Sequence, residues 1–388
     1  MIRTIGFERF KSLEQQTLDL GALTILIGPN ASGKSNVLDG CRLMSEAVRS
    51  DMEAAVTRRG SVESVVFKGS EQRSFAIDLE YFVPDPGAPH SRSDMRYHVE
   101  VGSHVHKPAV LREELRIKRQ RDEPGAPRTW VTARLGKGTA IRDPEAKKPE
   151  AFDTADPGVL ALKALGFLTA YPRIRALRTF IESWQLLGVN LDAVRAPRRD
   201  ERADALLPDA SNLANVLRTL QGTEKCDAIL ADLKDLLHVV DDLRTEVDRG
   251  RVLMLLKERP FSEPWEAFSV SDGTLRLLCL LTALHLLPEH GLLCVEEPEH
   301  GLHPLIFGPL LDLIRERCPR GEAKQVLLTT HSPDLVDAAE AEEVVTVERD
   351  ERGATTLTRL EGKKLRSWLD DYRLGELWRM RQIGGVPR

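Results

Sequence analysis

The residues best equipped for chemistry form the run Gly28-Pro29-Asn30-Ala31-Ser32-Gly33-Lys34-Ser35, which fits the pattern G-x-x-x-x-G-K-[ST]. The glycines let backbone N–H groups converge on phosphate oxygens, and a helix starting at the lysine adds its partial positive charge. Lys34 would neutralise the outer phosphates of a nucleotide and the Ser35 hydroxyl would ligate Mg²⁺, with Asn36 closing the run of candidate contacts. The bland reading is a glycine-rich turn with a stray lysine. Context argues against it: the apolar stretch Leu23-Thr24-Ile25-Leu26-Ile27 leads in, and a helical pattern leads out from Lys34.

Three distal segments carry complementary chemistry. Leu292-Leu293-Cys294-Val295 runs into Glu296 and Glu297. A nucleotide site needs one carboxylate on the metal side, here Glu296, and a second to orient or deprotonate the attacking water, here Glu297. The alternative, a solvated pair of surface glutamates, fits poorly with an apolar strand leading straight into it. Past a second apolar run, Gln325 to Thr329, stands His331, placed to reach a terminal phosphate. Ser332 before Pro333 also reads as a helix cap, and both roles can hold together. Ser271-Asp272-Gly273 precedes a long apolar helix. Taken alone it is a cap, but its exposed N–H groups would also suit an anion.

These residues need a scaffold, and the composition allows one. The chain has 388 residues, 41% hydrophobic and 30% charged, with a net charge of −5. That excludes a disordered chain, a collagen-like chain and a disulfide-stapled miniprotein. Cys41, Cys226, Cys279, Cys294 and Cys318 form no C-x-x-C pair and read as reduced core thiols of a cytosolic protein. The opening MIRTIGFERFKS lacks the apolar stretch of a secretory signal. Leu277 to Leu287 is too short to span a bilayer and reads as a buried helix, so no membrane role is expected.

The expected class is α/β: a mixed or parallel core sheet, an antiparallel β subdomain and a helical insertion lobe. Period-two segments between Arg73 and Leu135 predict an antiparallel sheet of about three to five strands. Lys137 to Gly158, with Pro144, Pro149 and Pro157 among charges, predicts a loop or lobe boundary. Helical patterns follow at Val159–Leu165, Pro172–Leu187, Asn212–Leu220 and Glu224–Val240, then a hairpin around Gly250. The last third alternates helix and strand, as crossover connections require. The expected division is 1–135 for the phosphate-loop part with the β subdomain, 136–265 for the helical lobe, and 266–388 for the remainder of the core.

In this order, the four motifs resemble ABC-type ATPases of the RecF/SMC class. They are most similar to bacterial "AAA family ATPases" related to overcoming-lysogenisation-defect proteins. Phe10-Lys11-Ser12 looks like the N-terminal strand motif of that class, which implies that Lys11 lies near the nucleotide. Ser271-Asp272-Gly273 stands where a Ser-Gly-Gly signature sits, with Asp272 replacing the first glycine. Glu296 replaces the usual metal-side aspartate, His300-Gly301-Leu302-His303-Pro304 occupies the D-loop, and His331 the switch histidine. Leu374-Gly375-Glu376-Leu377-Trp378 also looks characteristic of the subgroup. No convincing Q-loop is found, Gln72 reading equally well as a polar turn residue. The interval from Ser35 to Ser271 lacks heptads and is too short for a long coiled-coil arm.

The resemblance implies two ATP molecules sandwiched in a dimer, with Ser271 of one copy completing the site of the other, and Mg²⁺ as cofactor. It implies hydrolysis to ADP and phosphate in the cytoplasm, driving a separately encoded effector such as a nuclease in anti-phage defence or DNA repair. A non-hydrolysing ATP-dependent scaffold and a transporter ATP-binding subunit are the alternatives. Basic clusters at Arg116–Arg121, Lys147-Lys148 and Arg195–Arg202 could touch DNA or RNA, or could be solvated faces. The tryptophans (Trp130, Trp184, Trp265, Trp368, Trp378) read as core. Tyr372 to Val386 could dock a partner or pack on the chain's own core. The Glu297-x-x-His300 spacing does not make a metal cluster, because Pro298 and Gly301 disfavour the regular helix it needs.

Overall fold

The fold is described from a computed structural model covering residues 1–85, 88–118, 127–142, 148–321 and 324–386, with the side chains of 83–93 left aside. Two sheets organise it. The first has six strands and places Leu23–Ile27 between Gln325–Thr330 and Val344–Arg349. Beyond Gln325–Thr330 lie Leu292–Glu296 and then Gln185–Leu187. These five are parallel to one another, and only the edge strand Thr355–Arg359 runs antiparallel.

A parallel strand buried on both faces must be apolar on both, and the side-chain alternation shows this. Leu26, Cys294 and Leu327 join one buried cluster with helix Lys34–Arg49, while Ile25, Ile27, Leu293, Val295 and Leu328 join another on the opposite face. The second cluster includes the apolar residues of helix Asp272–Leu286, which is buried nearly all round, as its sequence indicates.

The second sheet is antiparallel with eight strands, and larger than the sequence suggests. Its additional members are the N-terminal hairpin Ile2–Phe10 and Leu13–Asp19, and two short strands, Lys137–Ala140 and Glu150–Asp153. The last two fall where a loop was expected. The intervening 143–147, with Pro144, lie outside the described residues, but the flanking segments pair normally. Prolines and charges mark turns without forbidding short strands between them.

Helix Lys34–Arg49 lies between the sheets. Gly40 is required there, because a Cβ would collide with the Phe7 ring. Gln325 joins the sheets at their base: its buried amide accepts from Ile2 N and donates to the carbonyls of Ile2 and Gly21.

Two further expectations need correction. The helix starting at Pro172 ends at Glu182, and Gln185–Leu187 is instead the outer strand of the parallel sheet. Its pairing with Leu293–Val295 overrides a helical periodicity that continues past the true end. Likewise helix Glu224–Leu236 stops short, and Val240–Asp248 forms the hairpin with Arg251–Glu258. Residues 136–265 thus contain both helices and strands. All five cysteines are buried and free. Trp130, Trp184 and Trp378 are core residues, whereas Trp265 and Trp368 are exposed. No helix among the described residues is long and apolar enough to cross a membrane.

Candidate functional site

The site is set by sheet register. Ile27 pairs with Thr330, and Glu296 with Thr329, so three adjacent parallel strands end level with one another. From these ends emerge the phosphate loop, His331 and Glu297. Ligands of open α/β sheets bind at such carboxyl ends.

The loop is built around its lysine. Lys34 Nζ donates to Gly28 O at 2.8 Å and Pro29 O at 3.0 Å, so the chain curls over the ammonium. Gly33 is the N-cap at φ 115°, where an L side chain is strained and a Cβ would overlap the Thr355 hydroxyl. With no side-chain cap and no acidic residue in the first turn, the helix end keeps its positive character. Ala31 is left-handed at φ 61° and Ser32 N turns back to Pro29 O at 3.2 Å. Asn30 and Ser35 face solvent.

A polar relay braces the loop. Asn36 Nδ2 donates to Ser12 Oγ at 2.7 Å, Ser12 Oγ meets Thr355 Oγ1 at 2.6 Å, and Thr355 Oγ1 donates to Ser32 O at 2.7 Å. Thr355 escaped the sequence reading. It lies on an edge strand more than three hundred positions away, and no local pattern marks it. Lys11 does not point freely into the site: its ammonium pairs with Asp39 Oδ2 at 2.6 Å, on the phosphate-loop helix. Arg59 holds the same carboxylate at 2.7 Å.

At the facing strand ends, Glu297 takes a left-handed backbone (φ 48°) and its N–H donates to Thr329 O at 2.9 Å. That kink is how two consecutive glutamates diverge: Glu296 is exposed, and Glu297 is half-buried. Glu297 Oε1 lies 3.2 Å from His331 Nε2, and Oε2 lies 2.9 Å from His300 Nε2. His300, part of the D-loop segment and of the Glu297-x-x-His300 spacing, meets the candidate base directly.

Electrostatics tie these groups to Lys34. Burial pulls the Lys34 ammonium down to about 8, while Glu297 and Glu299 pull it the other way. Burial, then the charge of Lys34, hold the His331 imidazole below its usual value, against the opposing pull of Glu297 and Glu299. At neutral pH His331 is therefore a neutral donor to the Glu297 carboxylate.

Ser271 caps helix Asp272–Leu286, accepting from Thr274 N at 3.1 Å. Asp272 is exposed and paired with Arg195 Nη2 at 2.6 Å. Gly273 packs so tightly on Gly301 that a Cβ would strike the Gly301 carbonyl. The signature-like turn is thereby locked to the segment following Glu297.

The oxygen donors Ser35 and Glu296 suit a hard cation such as Mg²⁺, and no group of three His, Cys, Asp or Glu among the described residues could hold a metal alone. Ser32 Oγ, inside the loop, is buried without a partner, as expected of a cradle for a polar ligand.

Residues 23–337 match the family described as "AAA domain, putative AbiEii toxin, Type IV TA system". The chain belongs to this family. Over 74 residues the chain is 35% identical to the chromosome partition protein Smc of Clostridium kluyveri, covering 19% of this chain and 6% of that protein. The chain thus spans a small part of that curated relative. Two solved structures share the fold across nearly their whole lengths. An SMC head bound to the C-terminal winged-helix domain of ScpA gives TM-score 0.56 at 13% identity, covering 94% of this chain and 99% of that one. The Pyrococcus furiosus Smc head with an extended coiled coil gives 0.53 at 12% identity, covering 95% and 98%. The chain is thus an AAA-domain protein with the fold of an SMC head.

Proposed function

We propose that this AAA-family protein binds ATP with Mg²⁺ at the phosphate loop and hydrolyses it to ADP and phosphate, at an interface between two copies. The observation carrying this reading is the convergence of Lys34 with Glu297 and His331. A cation that stabilises transferring phosphate, a carboxylate able to orient water, and an imidazole donor surround one space. Lys34 and the N–H groups of the helix start hold the outer phosphates, with Gly28–Asn36 as the cradle and Lys11 at its margin. Bound at Ser35 and Glu296, Mg²⁺ would neutralise charge on the phosphates. Glu297 accepts a hydrogen bond from the attacking water and takes its proton as the bond to the leaving ADP oxygen breaks. His331 donates from Nε2 and keeps the Glu297 carboxylate aimed.

Dimerisation gives the signature-like turn a phosphate to meet. Ser271, Asp272 and Gly273 start a buried helix whose N-terminal end offers anion contacts to a second copy. The closing experiment mixes two defective chains. Lys34→Ala and Ser271→Arg are each inactive alone, but a mixed dimer rebuilds one of its two composite sites. With random exchange about a quarter of wild-type phosphate release returns. No recovery on mixing sinks the composite site. Phosphate release by the wild type no faster than by Glu297→Gln sinks hydrolysis and leaves the scaffold reading.

The product of such a cycle is conformational work. We infer that it serves a separate effector, nuclease or other, in anti-phage defence or DNA repair. The family's description names a putative toxin of a type IV toxin–antitoxin system, a context compatible with such a role. Loss of plaque protection in Lys34→Ala is the expected result, and unchanged plaque counts would remove this role. In the basic stretch Arg195–Arg202, a candidate for DNA or RNA contact, Arg195 and Arg202 are already paired with Asp272 and Asp204. In the other basic clusters, 119–121 and Lys147 lie outside the described residues.

A further inference from the structure

Like Thr355, Glu299 is a residue of the site that no motif singles out. It is 9% exposed, and its two oxygens have different fates. Oε1 accepts from the Thr330 hydroxyl at 2.5 Å and from His331 N at 2.9 Å. Thr330 Oγ1 in turn accepts from Ser332 N at 2.9 Å, so one carboxylate oxygen organises the turn that carries the imidazole. Oε2 is buried and has no hydrogen-bond partner among the described residues. A buried, half-satisfied carboxylate is costly, and its retention calls for an explanation.

Lys34 supplies the counterpart. An ammonium has three donors, and two of them go to Gly28 O and Pro29 O. Glu299 and Glu297 both act on that ammonium electrostatically. The site therefore holds a spare cationic donor and a spare anionic acceptor within each other's field.

We propose that Glu299 is a positioning residue with two separable actions. Through Oε1 it latches Thr330 and His331 so that the imidazole meets Glu297. Through its charge it competes at a distance with an arriving phosphate for the field of Lys34. This rests on the ATP reading only in its second action, since the latch exists in the nucleotide-free chain.

Three variants separate the actions. Glu299→Gln keeps a carbonyl acceptor for Thr330 and His331 but removes the charge. Thr330→Val removes one latch bond and keeps the charge. Glu299→Ala removes both. The latch is read without nucleotide, from the imidazole resonances and titration of His331 by NMR. The resonances shift in Thr330→Val and Glu299→Ala and hold in Glu299→Gln, whose lost charge lowers only the titration midpoint. The charge is read from ADP binding by calorimetry. Affinity rises several-fold, up to about tenfold, in Glu299→Gln and is unchanged in Thr330→Val, since one pH-unit equivalent of interaction corresponds to tenfold. Turnover falls about tenfold or more in Thr330→Val, with KM for ATP little changed. His331 resonances unmoved in Thr330→Val overturn the latch. Equal or weaker ADP affinity in Glu299→Gln overturns the competition. Absence of ADP binding by the wild type would instead sink the ATP reading, while the NMR result would still decide the latch.

Discussion

Glu297 Oε1 and His331 Nε2 stand 3.2 Å apart at the ends of neighbouring parallel strands, although the two residues come from separate crossover units. His300 occupies the other oxygen at 2.9 Å, so the carboxylate is aimed from both sides. Glu297→Gln keeps the shape and can still be held by one imidazole, but it cannot take a proton. We expect phosphate release to fall by about two to four orders of magnitude with ATP binding retained. A malachite-green assay beside a fluorescent-nucleotide titration checks this. Loss of binding together with hydrolysis would mean that Glu297 is structural.

Lys34 makes nucleotide affinity depend on pH. Its folded-state pKa of about 8 lies below the ordinary 10.5, so the empty protein releases this proton earlier than the unfolded chain does. A bound phosphate restores the proton. The dissociation constant should therefore be flat below about pH 8 and rise about tenfold per unit above it, until the bound-state value is passed. For the empty protein the sign is opposite: the unfolded chain holds more protons between the two values, so this group makes stability rise with pH there. Binding that stays flat from pH 7 to 9.5 would contradict the site's electrostatics.

Thr355 braces the loop from the edge strand. Thr355→Val preserves shape and removes the hydrogen bonds to Ser12 Oγ and Ser32 O. We expect nucleotide affinity to fall several-fold, with a stability cost of about 1–3 kcal/mol from the stranded partners. Gly33→Ala should be worse, since it meets Thr355 from a φ that L residues avoid. Thermal melts with and without ADP distinguish a loosened loop from a globally weakened fold. An unchanged ADP-induced shift in Thr355→Val would rule out the brace.

The C-terminal segment belongs to the core. Leu374, Leu377, Trp378 and Ile383 are buried, Trp378 Nε1 donates to Gly385 O at 2.8 Å, and Gly375 N donates to Asp337 Oδ1 at 2.7 Å. Leu377→Ala should cost about 2–5 kcal/mol of folding stability. Urea unfolding followed by circular dichroism measures it. A loss under about 0.5 kcal/mol would return this segment to the role of a docking arm.

Some of this architecture could be read from local pattern. Leu23–Ile27 and Leu292–Glu296 are apolar on both faces because crossover helices cover both, and that leaves a mark in consecutive residues. The helix start at Lys34 and the cap at Ser271 follow from residue types within one turn. Pairing partners leave no such mark. Gln185–Leu187 reads as the tail of a helix until Leu293–Val295 claims it, and Lys137–Ala140 reads as loop until it meets its neighbours. Periodicity records which face is buried, not what it is buried against.

By itself, then, the amino-acid order determined the phosphate loop, the acidic strand end, the imidazole turn and the alternation that builds a parallel sheet. Each is a short-range property of side-chain type and spacing. Only the tertiary structure decided that Lys11 is held by Asp39, that Thr355 supports the loop, that His300 shares Glu297, and that Glu299 latches His331. Those contacts join residues from different elements, and they exist because sheet register brings separate strand ends level. Register is a property of the packed whole.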